Sequence, residues 1–195
     1  MDKIGHLDID WTAFNKRIDA EEGVVKKPTE YNAPLKQETY NMNYKVDEHH
    51  YQAHIDNGTS IYTEYVSEDL VDMFPTDFWP TVGMDGRVII KVLEHEPGVI
   101  TQPHMDGYHV TKEKFDLDPE GPVKRLWIPC TDYKLGHILC VGDDFVMTNY
   151  KAGDVFEIPG DILHSAGNIG VETRRVITVT GEALDKKGFR GVEVC

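Results

Sequence analysis

From residue 87 onward the chain alternates short β-forming segments with glycine- and proline-rich turns, and this limits its fold more than any other feature. The predicted strands run over 87–94, 99–106, 124–129, 137–141, 144–148, 154–158, 162–165 and 174–181. They are rich in Val, Ile, Thr, Phe and Trp, whose branched or flat side chains fit a pleated, half-buried surface. Between them lie Pro97-Gly98, Gly142-Asp143-Asp144, Ala152-Gly153-Asp154, Pro159-Gly160-Asp161 and Gly167-Asn168-Ile169-Gly170. Glycine in such clusters supplies positive φ at no steric cost. Many short strands at this spacing predict a mainly β jelly-roll sandwich or barrel.

The first 80 residues have a different texture, with many aromatics and fewer β runs. Asp10 is placed to cap a short helix that carries Trp11, Phe14 and Ile18 on one face. Ser67 is placed to cap a second, with Glu68 and Asp69 in its first turn and Pro75 ending it. The expected organisation is one domain over 1–195. Residues 1–84 form a flanking support of helices and loops, 85–182 the β core and 183–195 a tail.

The formal net charge of -14 repels phosphate backbones and anionic membranes, so no nucleic-acid partner is expected. No apolar run is longer than a strand, and no leader-like segment follows Met1, so the expectation is a cytoplasmic protein with no membrane partner. Cys130, Cys140 and Cys195 form no CxxC pair, which points to reduced thiols rather than disulfides or a thiolate zinc site.

Chemistry concentrates at His104-Met105-Asp106, at the end of a predicted strand. Residues i and i+2 share a strand face, so the imidazole and carboxylate can converge. His164 lies on a later predicted strand. Two imidazoles and a carboxylate make the facial ligand set that suits non-haem Fe(II) and leaves positions open for other ligands. Ten positions beyond His164 comes Arg174, heading Arg174-Arg175-Val176-Ile177-Thr178-Val179-Thr180.

HxD, intervening strands, a distal His and a basic residue about ten positions later resemble the 2-oxoglutarate- and Fe(II)-dependent dioxygenases, in their small prolyl-hydroxylase-like or aspartyl/asparaginyl-hydroxylase-like form. The resemblance covers about residues 85–182. It implies a double-stranded β-helix, the cupin-like jelly roll. It also implies Fe(II) held by His104, Asp106 and His164, with 2-oxoglutarate as co-substrate and O2 as oxidant. Arg174 would bind the far carboxylate of 2-oxoglutarate, with Thr178 on the same face. The implied reaction hydroxylates a small-molecule or peptidyl substrate, an amino acid or an amino-acid residue, and releases succinate and CO2. Physical chemistry supports the arginine's part, since its planar fork matches a carboxylate as an ammonium cannot. Arg174 and Arg175 point to opposite faces, and Arg174 is expected inside, with Arg175 a surface residue.

Other residues have two readings. Arg125 either steadies a carboxylate or the substrate, or makes a strand-end salt bridge. His137 either lines the site mouth or is a satisfied buried histidine. His95 and His109 are expected not to ligate. His49, His50 and His54 are read as a solvated polar cluster rather than a second metal site. A metallo-cupin that does not use 2-oxoglutarate, as an oxygenase or isomerase, and a non-catalytic ligand-binding barrel are the alternative functions.

Overall fold

Alternation of inward and outward residues along three strands, Met84–His95, Val123–Pro129 and Arg174–Ala183, organises the molecule. The protein is represented by a computed structural model, which describes residues 2–22, 24–31, 60–66, 68–106, 108–118, 121–142, 145–159 and 162–184. Its strands are β1 (Lys3–His6), β2 (Val25–Tyr31), β3 (Ser60–Val66), β4 (Met84–His95), β5 (Ile100–His104), β6 (Val123–Pro129), β7 (His137–Val141), β8 (Phe145–Val146), β9 (Asp154–Glu157), β10 (His164–Asn168) and β11 (Arg174–Ala183). Helices are α1 (Trp11–Asp19), α2 (Phe78–Thr81) and α3 (His109–Phe115), with a 3-10 turn at Glu68–Met73.

Two antiparallel sheets result, one in the order β1-β9-β6-β11-β4-β3-β2 and one in the order β5-β10-β7-β8. This is the predicted mainly β, double-stranded β-helix architecture. β11 lies at the centre of the large sheet, paired with β4 on one side and β6 on the other. Its Val176-Ile177-Thr178-Val179-Thr180 run suits a strand covered on both faces.

The two faces of the large sheet have separate cores. Ile90, Val92, Leu126, Ile128, Ile177 and Val179 face outward and pack with Phe14 and Ile18 of α1. Trp127 and Val176 face inward and pack with Leu139 and Val141 of the small sheet. Burying one such apolar side chain contributes about 1.5–3 kcal/mol, so these interleaved rows hold both faces covered. Asp10 caps α1 as expected, accepting from the Ala13 backbone N–H at 2.9 Å.

Several expectations need correction. Residues before 84 contribute three strands, β1, β2 and β3, to the large sheet, rather than only helices and loops. The expected second helix is a 3-10 turn, and Ser67 lies outside the described residues. The strand expected over 144–148 shortens to Phe145–Val146, and that expected over 162–165 runs instead from His164 to Asn168. The helix α3, between β5 and β6, was not anticipated.

Gly153 shows why one turn demands glycine. Its φ is +85°, and an added Cβ would stand 2.4 Å from the Leu7 carbonyl oxygen. That close approach lets the Leu7 N–H reach the Gly153 carbonyl at 2.7 Å and docks β1 onto the sheet. Cys130 and Cys140 are free thiols, and Cys195 lies outside the described residues. Among the described residues no helix is long and apolar enough to cross a membrane.

Candidate metal centre

The pairing of β5 with β10 brings the two predicted imidazoles together. His104 and His164 are direct cross-strand partners, with ring centroids 4.3 Å apart. Asp106 follows β5 by two residues and returns its carboxylate to the same place. Its Oδ1 lies 3.9 Å from His104 Nε2 and its Oδ2 3.4 Å from His164 Nε2. One ligand atom from each residue lies within 4.8 Å of the others.

Backbone contacts settle the tautomer of both rings. His104 Nδ1 donates to the Gln102 carbonyl at 2.8 Å, and His164 Nδ1 donates to the Ile162 carbonyl at 3.1 Å. Each Nε2 therefore keeps a lone pair directed at the cluster. Burial, as the largest cause, lowers both pKa values, that of His164 to about 3. The Arg125 cation pushes both in the same direction. Both imidazoles are thus neutral near pH 7, the state in which Nε2 could bind a metal.

The donor set accepts a cation in this structure. Arg125 Nη1 donates to His164 Nε2 at 3.0 Å and also pairs with Asp106 Oδ2. Two neutral imidazole nitrogens and one carboxylate are the chemistry a divalent first-row metal takes. The residues present fit a metal ion.

A cavity of about 400 Å³ opens on this cluster. Arg125, Arg174, Val176, Thr178 and Thr180 line it together with His104, Asp106 and His164. Strand parity holds here: the residues at even positions 174–180 of β11 face in, while Ile177 and Val179 belong to the outer core.

Arg174 is only 1% exposed. Its Nη1 donates to His95 Nδ1 at 3.1 Å, and its guanidinium lies 5.5 Å from the centre of the Trp127 ring. Burial lowers its pKa to about 10, with the Tyr150 hydroxyl opposing, so it remains a cation at neutral pH. No carboxylate pairs with it among the described residues, and its buried Nε and Nη2 have no hydrogen-bond partner there. A buried charge in this state is costly until an anion meets it.

Arg175 is not the simple surface residue that was expected. It points to the outer face and pairs with Glu94 and with Asp19 of α1, the latter at 2.6 Å. It also donates to Asn15 Oδ1 at 3.0 Å. It joins the sheet to α1 and stays out of the cavity.

His95 is the residue the sequence reading undervalued. It is not a ligand, but it lines the cavity and supports Arg174. Its signal was parity, since Lys91, Leu93 and His95 share a face of β4. His109 also lines the cavity without joining the ligand cluster. His137 is a satisfied buried histidine, bonded to the Tyr150 hydroxyl at 3.2 Å and the Glu172 carbonyl at 3.0 Å. His49, His50 and His54 lie outside the described residues.

No family model matches the chain, and no curated protein matches it. Solved structures resemble it loosely. A cupin 2 conserved barrel domain protein from Rhodopseudomonas palustris is 12% identical, with a TM-score of 0.43, over 84% of this chain and 75% of that one. A second cupin 2 barrel protein, from Salinispora arenicola, is 24% identical, with a TM-score of 0.35, over 57% and 77%. A predicted oxalate decarboxylase from Thermotoga maritima is 11% identical, with a TM-score of 0.37, over 63% and 81%. At these values the chemistry rests on the residues themselves.

Proposed function

We propose that the protein is an Fe(II)- and 2-oxoglutarate-dependent oxygenase that hydroxylates an amino-acid or peptidyl substrate. One observation carries this reading. A buried guanidinium with no carboxylate partner among the described residues shares its cavity with three converging groups that could hold a metal ion. A dicarboxylate that chelates a metal at one end needs such a cation at the other.

His104 Nε2, Asp106 and His164 Nε2 would hold the Fe(II). Bound iron supplies the activation of O2, with 2-oxoglutarate as reductant. In the balanced reaction 2-oxoglutarate, O2 and a substrate C–H give succinate, CO2 and a C–OH. One oxygen atom enters succinate and the other the new hydroxyl.

The chain's own groups bind and orient. Arg174 takes the far carboxylate of the co-substrate through a planar fork, with Thr178 beside it on β11 as a hydroxyl donor. Trp127 and Val176 close the apolar wall and keep water from the guanidinium. With a metal on those atoms Arg125 would give up its contacts with Asp106 and His164 and would be a second cation for a carboxylate in the cavity.

The test is succinate formation by purified protein with Fe(II), 2-oxoglutarate and O2, beside Asp106→Ala under the same conditions. Slow succinate release from the unaltered protein alone is the expected result. Equal rates from the two proteins would refute the reading.

A further inference from the structure

Lys91 and Glu64 form an ion pair on the inner wall of the cavity that holds the metal ligands. On β4, Ile89, Lys91, Leu93 and His95 face the cavity, while Ile90 and Val92 belong to the outer core. Lys91 therefore stands where strand parity calls for a core-facing residue. Glu64 on β3 is opposite Leu93, which places Lys91 one diagonal step away. Lys91 Nζ donates to Glu64 Oε1 at 3.0 Å. The glutamate side chain is 12% exposed and the lysine side chain 42%, so the carboxylate is recessed and the ammonium is open.

An ion pair in such a place adds little net stability, because desolvation offsets the attraction and apolar residues of equal volume would serve as well. What it provides is a charge pattern, one positive and one negative group held side by side on paired strands. Arg174 and the metal ligands are committed to the dicarboxylate in the reading above. The wall then keeps this adjacent pair for the second substrate.

We propose that Lys91 and Glu64 recognise a carboxylate and an ammonium carried on one carbon, so that the substrate is a free α-amino acid; this rests on the oxygenase reading for the reaction but not for the binding. The substrate carboxylate meets Lys91 and its ammonium meets Glu64. The four charges alternate in a closed ring, and neither wall group loses its partner. Ile89 and Leu93, two residues to either side of Lys91, offer an apolar surface to the amino-acid side chain. A residue within a peptide has amides in place of both charges and gains nothing from this pair. The site thus selects free amino acids over peptides.

Binding is read without turnover. The twenty free α-amino acids are mixed with Zn(II)-loaded protein and 2-oxoglutarate, and bound members are detected by saturation-transfer NMR. One amino acid, or a small related set, is expected to bind, and its N-acetyl and amide derivatives are expected not to. A Glu64→Lys, Lys91→Glu double exchange keeps an ion pair on the wall but reverses its pattern. Its melting temperature should stay near that of the unaltered protein, while binding weakens at least tenfold. The capped ligands probe the same contacts on the unaltered chain, so the test survives a failure of the variant to fold. Binding by no free amino acid, equal binding of the capped forms, or full binding by a folded exchange variant each overturns the proposal. Binding without any succinate release leaves the amino-acid site standing and overturns the oxygenase reading instead.

Discussion

His95 and Arg174 face each other across β4 and β11, and the guanidinium donates to the imidazole at 3.1 Å. Arginine has no acceptor, so His95 Nδ1 must be the accepting nitrogen and its proton sits on Nε2. That Nε2 donates to Thr101 Oγ1 at 2.9 Å on β5. One neutral imidazole thus links the large sheet to the small sheet and aims Arg174. Burial, ahead of the Arg174 and His137 charges, lowers its pKa to about 3.

The first prediction concerns pH. A histidine with a folded pKa of about 3 and an ordinary unfolded pKa of about 6.5 binds its proton only in the unfolded chain over that window. Stability contributed by neutral His95 is therefore full above pH 6.5 and is lost as pH falls toward 3. Urea unfolding at pH 7.5 and pH 5 should show a loss of about 1–2 kcal/mol from this group. The same comparison on His95→Gln should give a shallower pH dependence. An unchanged slope would mean that His95 accepts a proton in the fold.

Arg174→Lys keeps the charge and loses the fork. Its KM for 2-oxoglutarate should rise by roughly 10- to 100-fold, the loss of about 1.5–3 kcal/mol typical of a charge-assisted contact. Arg175→Ala should leave that KM within about twofold, because Arg175 serves the outer face. It should instead cost about 1–3 kcal/mol of stability, since buried Glu94 loses its cation and keeps the Tyr65 hydroxyl, which donates to Oε1 at 3.2 Å. Steady-state kinetics and thermal melts on the two variants separate the roles. A reversal would place Arg175 in the cavity.

Metal affinity should depend on all three ligands. His164→Ala should weaken Co(II) or Fe(II) binding by at least about 100-fold in equilibrium dialysis, on the scale of losing a well-oriented ligand. Binding that persists at the original affinity would mean that the ion sits elsewhere.

Two substitutions test the scaffold. Asp10→Ala removes the cap of α1 and should cost about 1 kcal/mol. Gly153→Ala forces a Cβ against the Leu7 carbonyl at a positive φ, and should cost more than 1 kcal/mol by displacing β1. Thermal denaturation ranks them, with Gly153→Ala the more damaged.

The inward direction of Arg174 and the meeting of His104 with His164 were legible because strand parity is a strong code. On β11, Arg174 and Thr178 fall on one face by period two, whereas the strand expected to reach Asp106 ends at His104 and the carboxylate comes back to the imidazoles from beyond it. The N-terminal strands were hidden for physical reasons. β2 reads Val-Lys-Lys-Pro-Thr-Glu-Tyr, and Pro28 argues against a strand until β2 proves to be the edge of the sheet among the described residues, where a missing N–H is tolerated. β1 has only four residues, and its place is set by partners far along the chain, with Lys3 pairing Asp154 at 2.5 Å. Both contacts of His95, and its neutral state, arise from packing that no local window contains.

Alternation on β11 bears on how such a chain can change. A single residue inserted within the strand would shift its phase, sending Ile177 and Val179 into the cavity and Val176 and Thr178 toward α1. The paired arginines would still leave a guanidinium on each face, yet neither core would survive the shift. Length can therefore vary only in the turns, while the strands are open to exchange of one residue for another. New specificities in this scaffold would come from substitution at even positions of β11 and odd positions of β4, with the opposite parity held fast by the outer core.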